Sequence, residues 1–558
     1  MEINASKQQT PQQNQILGPA WRGLGFWNFY FLGKFALYLT GYINFDLFYN
    51  ALFFAALVFP LRPLWLHRLR QYLAIPIGIA VLYHDTWFPP FSRLLAQPEV
   101  LHFSSHYLLE LIGRFINWNL LGAGFIFLVV YLFLAQWFRL TLFTVLGLLI
   151  IALSTTPQIG LPGLQWQSIA TINADKNAMS AVANTTTTAA QANHGQQISL
   201  NDLLDAELET FYQAEASRHI SFPSPNPDAT NFDLVFLNIC SISWADLEET
   251  NLLTHPLFEK MDIIFDDFNA ATSYSGPAVS RLLQANCGQQ PHQQLYADSE
   301  QHCSLFENLR SIGFDTSIAL NHDGEFQRFI DDLAREDSSA EPLIPSHLKP
   351  VLRGFDGSPI WDDLDVLNLW LDKTKQANRK PAALLYNSIT LHDGNREATA
   401  DGGSRSAPYA ERARQMLTEL VTFIEQLEHS GRQVVLVFIP EHGAALSGDR
   451  MQISGMREIP TPAITHVPVG VRLIGTHANA PSTPIHVESP SSFLALADLI
   501  SRIIDTNVFA QDTINWAALT QSLEQTQAVS ENEGVVVMQH EGRPYVRMQG
   551  RNWVEYKP

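Results

Sequence analysis

The sequence predicts a chain in two parts: a multi-pass α-helical membrane domain of about five spans, followed by a soluble α/β domain. Three observations carry this expectation. Apolar residues are concentrated in the first 155 of the 558 positions. From Phe232 to about Asn515, strand-like runs alternate with helical stretches, as in a doubly wound fold. Within that alternation Val434–Ile439 is an unbroken, mostly β-branched apolar run that reads as a strand buried on both faces. The run stops at Pro440, with Glu441, His442 and Gly443 directly behind it. Ligand sites of open α/β sheets lie beyond the carboxyl ends of the strands, so this pair is well placed for chemistry.

The apolar part, 1–157, breaks into segments at Phe26–Phe45, Leu47–Leu61, Tyr72–Trp87, Leu120–Trp137 and Leu140–Leu153. Several fall short of the ~20 residues that span a bilayer comfortably. A basic cluster, Arg62, His67, Arg68 and Arg70, separates the second and third segments, and Arg139 separates the last two. The excess of basic residues in cytoplasmic loops predicts both loops inside, hence the amino terminus inside and everything after about residue 155 outside. Trp21, Trp27, Trp87 and Trp137 sit at segment ends, where interfacial aromatic anchors belong. The first 155 residues hold nine Lys/Arg against five Asp/Glu, so the remainder carries −24 within a total of −20. An acidic soluble part excludes nucleic acid as the partner, because phosphate backbones need a basic face.

Residues 158–198, containing NADKNAMSAVANTTTTAAQANHGQQ, are poor in aromatics and read as a flexible linker. Ser199 then opens a helical pattern, the core of a juxtamembrane segment, 199–230, expected to dock on the soluble domain. The α/β domain spans 231–515. Its first strand, Phe232–Ile239, delivers Cys240 at its carboxyl end. Ser275 precedes Gly276-Pro277 and a helix through Asn286, where free N–H groups favour a phosphate, although most such serines are ordinary caps. Ala382–Gly394 reads as another buried strand ending in His392, with Asp393 either its hydrogen-bond partner or a turn former. Arg450 and Arg457 lie in a polar loop, 448–465, from which an arginine could grip phosphate oxygens. Further on, His466–Val471 reads as a strand, Pro490–Ile504 as a helix, and the region 516–558 as β-hairpins turning near 541–544 and 550–552.

Cysteine usage fits an exported domain. Cys287 and Cys303 stand sixteen positions apart, a loop that a disulfide could close for about 3 kcal/mol in an oxidising compartment. Cys240 is left over, either buried and inert or a metal ligand. Thiol, imidazole and carboxylate from Cys240, His442 and Glu441 suit Zn²⁺ better than Mg²⁺ or Ca²⁺, with Ser275 filling the fourth position as an activated nucleophile.

At these residues the chain resembles the membrane-anchored phosphoethanolamine transferases of the alkaline-phosphatase superfamily, and more closely the cellulose phosphoethanolamine transferases, the BcsG family. The likeness runs through WRGLGFWNFYFLGKFAL, LHRLR, YHDTW and RFINW in the apolar part. It continues through NICSISW, NAATSYSGPA, LHDGN, PEHGAALSGDRMQ and QGRNWVEY in the rest. The resemblance implies a soluble domain of alkaline-phosphatase/sulfatase-like type in the periplasm of a Gram-negative cell, tethered to the inner membrane. It implies Zn²⁺ on Cys240, Glu441 and His442, Ser275 as nucleophile, support from Tyr274, His392 and Arg457, and a Cys287–Cys303 disulfide. It further implies phosphatidylethanolamine as donor, cellulose as acceptor and other cellulose-synthesis proteins as partners. Relative to the broader transferases, Cys240 replaces an acidic ligand, Ser275 a threonine and Glu441 an aspartate, departures that match the cellulose branch and argue against lipid A as acceptor. The competing expectations are a transferase of phosphoethanolamine or phosphoglycerol acting on another envelope acceptor, a phosphatase- or sulfatase-like hydrolase, and a non-catalytic membrane scaffold of the cellulose synthase complex.

Overall fold

A computed structural model of the chain describes residues 23–61, 64–88, 113, 117–155, 199–224, 231–297, 300–336, 342–375, 379–399 and 404–557. The linker expected over 158–198 and Arg62 of the first basic cluster lie outside the described residues. The chain divides into two compact units, 1–88 with 117–196, and 89–116 with 197–558.

The described part of the first unit contains helices α1 (Trp27–Leu39), α2 (Leu47–Val58), α3 (Leu64–Asp85), α4 (Trp118–Leu134) and α5 (Leu140–Thr155). Asp46 and Asn117 cap α2 and α4 by accepting from the N–H groups of Tyr49 and Leu120. Phe31, Phe35, Phe53, Leu57 and Leu148 form the unit's core. Inside it the Lys34 ammonium lies 2.5 Å from Asp85 Oδ2 and donates to Asn50 Oδ1 at 2.7 Å. On α4, by contrast, Leu121, Phe125, Ile126, Val129 and Phe133 face outward. Among the described residues no helix is long and apolar enough to cross a membrane. The longest, α3, begins at Leu64 and not Tyr72, so Arg68 and Arg70 stand in its first turns and not in a loop. Those charges and Asp85 dilute the apolar run that hydropathy had isolated.

The second unit is built on a seven-stranded sheet. Its strands are β1 (Asp233–Cys240), β2 (Ile263–Asn269), β3 (Asp315–Leu320), β4 (Ala382–Ser388), β5 (Val434–His442), β6 (His466–Ile474) and β7 (Ile485–Val487), in the order β7-β2-β6-β5-β1-β4-β3. All neighbours are parallel except β6, which runs antiparallel to both β5 and β2. Alternating side chains supply two cores: Leu234, Phe236, Val435 and Val437 on one face, and Val235, Leu237, Leu436 and Phe438 on the other. Burial on both faces is why these strands are continuous apolar runs, and each such side chain contributes about 1.5–3 kcal/mol. Pro440 does not end β5. The rungs to β6 stop at Phe438 opposite Gly470, so a residue without an N–H is accommodated and the strand carries on to His442.

Val529–Asn532 (β8), Val535–His540 (β9), Arg543–Met548 (β10) and Val554–Glu555 (β11) form a second, antiparallel sheet. The β9–β10 turn places Glu541 and Gly542 at φ values of 50° and 74°, the positive angles that a tight hairpin with native strand twist requires. Against this sheet packs the helix that follows Ser199, α6 (Leu200–Glu215), through Leu204, Leu208 and Phe211 onto Val529, Val536, Met538 and Trp553. A disulfide joins Cys287 and Cys303, and Cys240 is free and buried.

Candidate metal centre and active site

Strands β1 and β5 pair in parallel until the register shifts between Ile239 and Cys240, which sets Cys240 opposite His442. The potential ligand atoms of Cys240, Glu441 and His442 all lie within 4.8 Å of one another, and all three residues are buried. Cys240 Sγ is 3.9 Å from His442 Nε2, and Glu441 Oε2 is 3.8 Å from the same nitrogen. Ser275, half-buried, points its Oγ at Cys240 Sγ from 3.5 Å. It is the first residue of its helix, Ser275–Leu283, and not the residue before it, because Gly276 and Pro277 form the first turn. Its hydroxyl thus lies where the helix's unpaired N–H groups begin.

Burial sets the protonation of this corner. Burial, reinforced by Glu441, pushes the Cys240 thiol up to about 11, and burial raises the Glu441 carboxyl. Burial and the Arg457 guanidinium hold His442 well below its ordinary value, so its imidazole is neutral. His442 Nδ1 lies 2.9 Å from the Gly443 carbonyl, which makes it the protonated nitrogen and leaves the Nε2 lone pair facing Cys240 and Glu441. Glu441 Oε1 accepts from Asn387 Nδ2 at 2.6 Å, whereas Oε2 is buried with no hydrogen-bond partner. A buried carboxylate oxygen, a thiol and an imidazole lone pair turned toward one another fit a soft-to-borderline divalent metal, and zinc best of all.

Other expected residues are placed around this cluster. Arg457 Nη1 reaches Ser241 Oγ at 3.0 Å and lies 3.2 Å from His442 Nδ1, while Arg450 stays at the surface. Tyr274 donates from its hydroxyl to Glu458 Oε2 at 3.0 Å. His392 is not at a strand end: β4 stops at Ser388, and His392 sits in the turn beyond it, stacked on Phe355. Its Nδ1 donates to the Asp393 carbonyl at 2.8 Å, and burial together with Arg457 brings its pKa down to about 4.

Several contributors escape a reading of the sequence. Asn387 Nδ2 also donates to Asn238 Oδ1 at 2.8 Å, and Asn387 Oδ1 accepts from His322 Nε2 at 2.9 Å, so a buried amide chain orients Glu441. Asp246 accepts from the N–H groups of Ser243 and Ala444, fixing the loop after Gly443. Asn532, at the end of β8, takes the Thr272 hydroxyl and the Ser273 N–H on Oδ1. Its Nδ2 faces Ser273 Oγ and the Arg457 and Glu458 carbonyls. The available signal for the first of these was an asparagine inside each of two apolar runs, FLNIC and LYNSI; register makes Asn238 and Asn387 neighbours.

Fold and site together define a doubly wound α/β protein with a thiol–carboxylate–imidazole cluster, a candidate metal centre, beside a helix-initial serine. A family model described as the cellulose biosynthesis protein BcsG C-terminal domain matches residues 187–553, and one for the BcsG N-terminal domain matches 27–153. The cellulose biosynthesis protein BcsG of Escherichia coli K12 is 45% identical, covering 96% of this chain and 97% of that protein. Its counterpart in Salmonella typhimurium LT2 is 44% identical, covering 98% and 99%. The chain belongs to the BcsG family of cellulose biosynthesis proteins. Among solved structures, an alkaline phosphatase superfamily protein from Vibrio parahaemolyticus aligns over 63% of this chain and 87% of its own, at 12% identity and a TM-score of 0.44. The periplasmic domain of EcEptC from Escherichia coli in complex with Zn aligns over 61% and 96%, at 11% identity and a TM-score of 0.40.

Proposed function

We propose that this chain transfers phosphoethanolamine from phosphatidylethanolamine to the glucose C6 hydroxyls of bacterial cellulose, through a phosphoethanolamine-serine intermediate on Ser275, with Zn²⁺ held by Cys240, Glu441 and His442. The observation that carries the reading is the convergence of these four side chains around a buried, unpartnered carboxylate oxygen. Zinc, when bound, lowers the pKa of a neighbouring hydroxyl and offsets charge developing on phosphoryl oxygens.

In the first half-reaction Ser275 Oγ gives up its proton and bonds to phosphorus as the bond to the glycerol oxygen breaks, and that oxygen takes a proton to leave as diacylglycerol. In the second, the sugar C6 oxygen bonds to phosphorus and Ser275 leaves. Arg457, beside His442, is placed to pair with the phosphoryl oxygens. Tyr274, through Glu458, holds the neighbouring segment of that loop. His392 is neutral at working pH and has Nδ1 occupied, so its Nε2 is the atom that takes the proton from the attacking sugar hydroxyl.

The outward apolar side chains of α4 support a membrane-embedded first part, 1–157, with about five spans, in the Gram-negative inner membrane. A linker, 158–198, and the segment 199–230 would then carry the catalytic domain, 231–515, and the hairpin region, 516–558, on the periplasmic side. A lipid donor explains the tether, which keeps the site at high effective concentration over its substrate. Contacts with other cellulose-synthesis proteins belong to the same reading.

The test is Ser275→Ala in the full chain. Three protein ligands remain, so bound zinc should persist while transfer to cellulose and any phosphoethanolamine adduct on the protein disappear. Near-normal transfer by Ser275→Ala would defeat the covalent reading, and zinc content unchanged in Cys240→Ala would defeat the ligand set.

A further inference from the structure

A cleft of about 310 Å³ opens beside the metal centre, between the turn after β4 and the loop after β5. It meets the centre at three places. Asp393, on its wall, follows His392, and Ala444, on another, comes two residues after His442. Tyr409 donates from its hydroxyl to the Ser241 carbonyl at 2.7 Å, next to Cys240. The cleft therefore borders the backbone that carries His392, whose carbonyl accepts from the lining residue Arg412.

Its walls are preformed. Asp246 accepts from the Ala444 and Leu446 N–H groups, Ser454 donates to the Leu446 carbonyl at 2.6 Å, and Gly455 N–H donates to the Ala445 carbonyl at 2.8 Å. Opposite, the buried Arg412 spends Nε on the Ala407 carbonyl at 3.0 Å and Nη1 on the carbonyls of Thr390 and His392. Arg412 also lines the cleft. A guanidinium held by three backbone carbonyls, the acidic side chain of Asp393, and apolar surface from Ala444 and Leu446 make a mixed lining. Hydroxyl-bearing rings need that combination, with ionic groups for paired hydroxyls and apolar wall for C–H faces. The ethanolamine ammonium of the donor is the poorer match, since Arg412 sets positive charge in the wall and the cleft far exceeds its size.

We propose that this cleft binds the acceptor glucan, holding a short run of sugar units so that a C6 hydroxyl is delivered to the phosphorylated serine. This rests on the transferase reading of the site, and the experiment separates the two. Ser406 is exposed at the cleft's edge and Leu446 lines the opposite wall, so Ser406→Trp and Leu446→Trp fill it from independent sides, with Ser406→Ala as the control for bulk.

The full chain in detergent, with phosphatidylethanolamine in mixed micelles and cellopentaose as acceptor, gives two readouts. Intact mass reports adduct formation on the protein without acceptor, and labelled cellopentaose reports transfer. The expected result is adduct formation at the unmodified rate in all three variants, an acceptor KM raised tenfold or more in both tryptophan variants, and an unchanged KM in Ser406→Ala. An unchanged acceptor KM in both tryptophan variants overturns the proposal. Loss of the adduct in those variants also overturns it, because the cleft would then serve the donor's head group. If the unmodified chain forms no adduct at all, the transferase reading itself fails, and the glucan cleft falls with it.

Discussion

Asn532 offers the most discriminating test of how the site is held. One buried amide joins the segment before Ser275, Thr272–Ser273, to the segment carrying Arg457 and Glu458, through contacts of 2.7 to 3.3 Å. Asn532→Ala leaves the Ser273 N–H and the Glu458 carbonyl without this partner in a buried setting, where an unsatisfied group costs about 1–3 kcal/mol. Ser273 still donates to the Arg457 carbonyl, which limits the damage. The expected destabilisation is about 2–4 kcal/mol. Asn532→Asp is nearly the same shape and should be worse. It keeps the acceptor for Thr272 and Ser273 N–H but turns a carboxylate oxygen toward two backbone carbonyls, adding roughly 1–2 kcal/mol of repulsion and desolvation. Urea unfolding of the full chain followed by fluorescence gives the stability order, and transfer kinetics should show kcat reduced about tenfold with zinc content unchanged, since ~1.4 kcal/mol of misplacement suffices. An aspartate variant as stable and active as the unmodified chain, or more so than alanine, would refute the claim that donation by this amide clamps the site.

Two further outcomes follow from local geometry. A Cβ at Gly443 would stand 2.6 Å from Ser243 Oγ and 2.8 Å from Asp246 Oδ2, so Gly443→Ala should cost about 1–3 kcal/mol in thermal unfolding and lower transfer by shifting the loop that Asp246 fixes. Glu419 is pushed up to about 8, first by burial and then by Asp363, from an ordinary 4.5. The unfolded chain therefore gives up this proton before the folded one, and stability falls as pH rises from about 4.5 to about 8. Glu419→Gln should raise Tm by roughly 1–3 °C at pH 8 and leave it unchanged at pH 4, a difference that calorimetry at the two pH values would read.

The parts of this molecule legible in its sequence are those where burial dictates composition. Val434–His442 and Asp233–Cys240 lie between two cores, so nearly every side chain is apolar, and the polar residues at their ends stand out as candidates. The hairpins between Gly534 and Tyr556 show in their turn residues, whereas Trp516–Thr520, expected within the same hairpin region, is a short helix capped by Asn515. His392 reads as a strand end because Ile389 and Leu391 prolong the apolar pattern after the strand has stopped at Ser388. Helix ends in the first unit escaped hydropathy for a related reason: Arg68 and Arg70 extend α3 while interrupting its apolar signal. What no local pattern could reveal is a contact made by register or by distant docking, as with Asn238 beside Asn387, or Asn532 beside Thr272.

The long separation of that last pair has a consequence for biosynthesis. Thr272 and Asn532 are 260 positions apart. At ordinary translation speeds, of about 5–20 residues per second, the serine and its thiol neighbour are made roughly 10–50 s before the strand that locks them in place. A chain halted between Gly443 and Asn532 holds Cys240, Ser275, Glu441 and His442 without the amide that ties Thr272 and Ser273 to the Arg457 segment. Because Asn532 lies close to the carboxyl terminus, these contacts can form only after nearly the whole chain has been made.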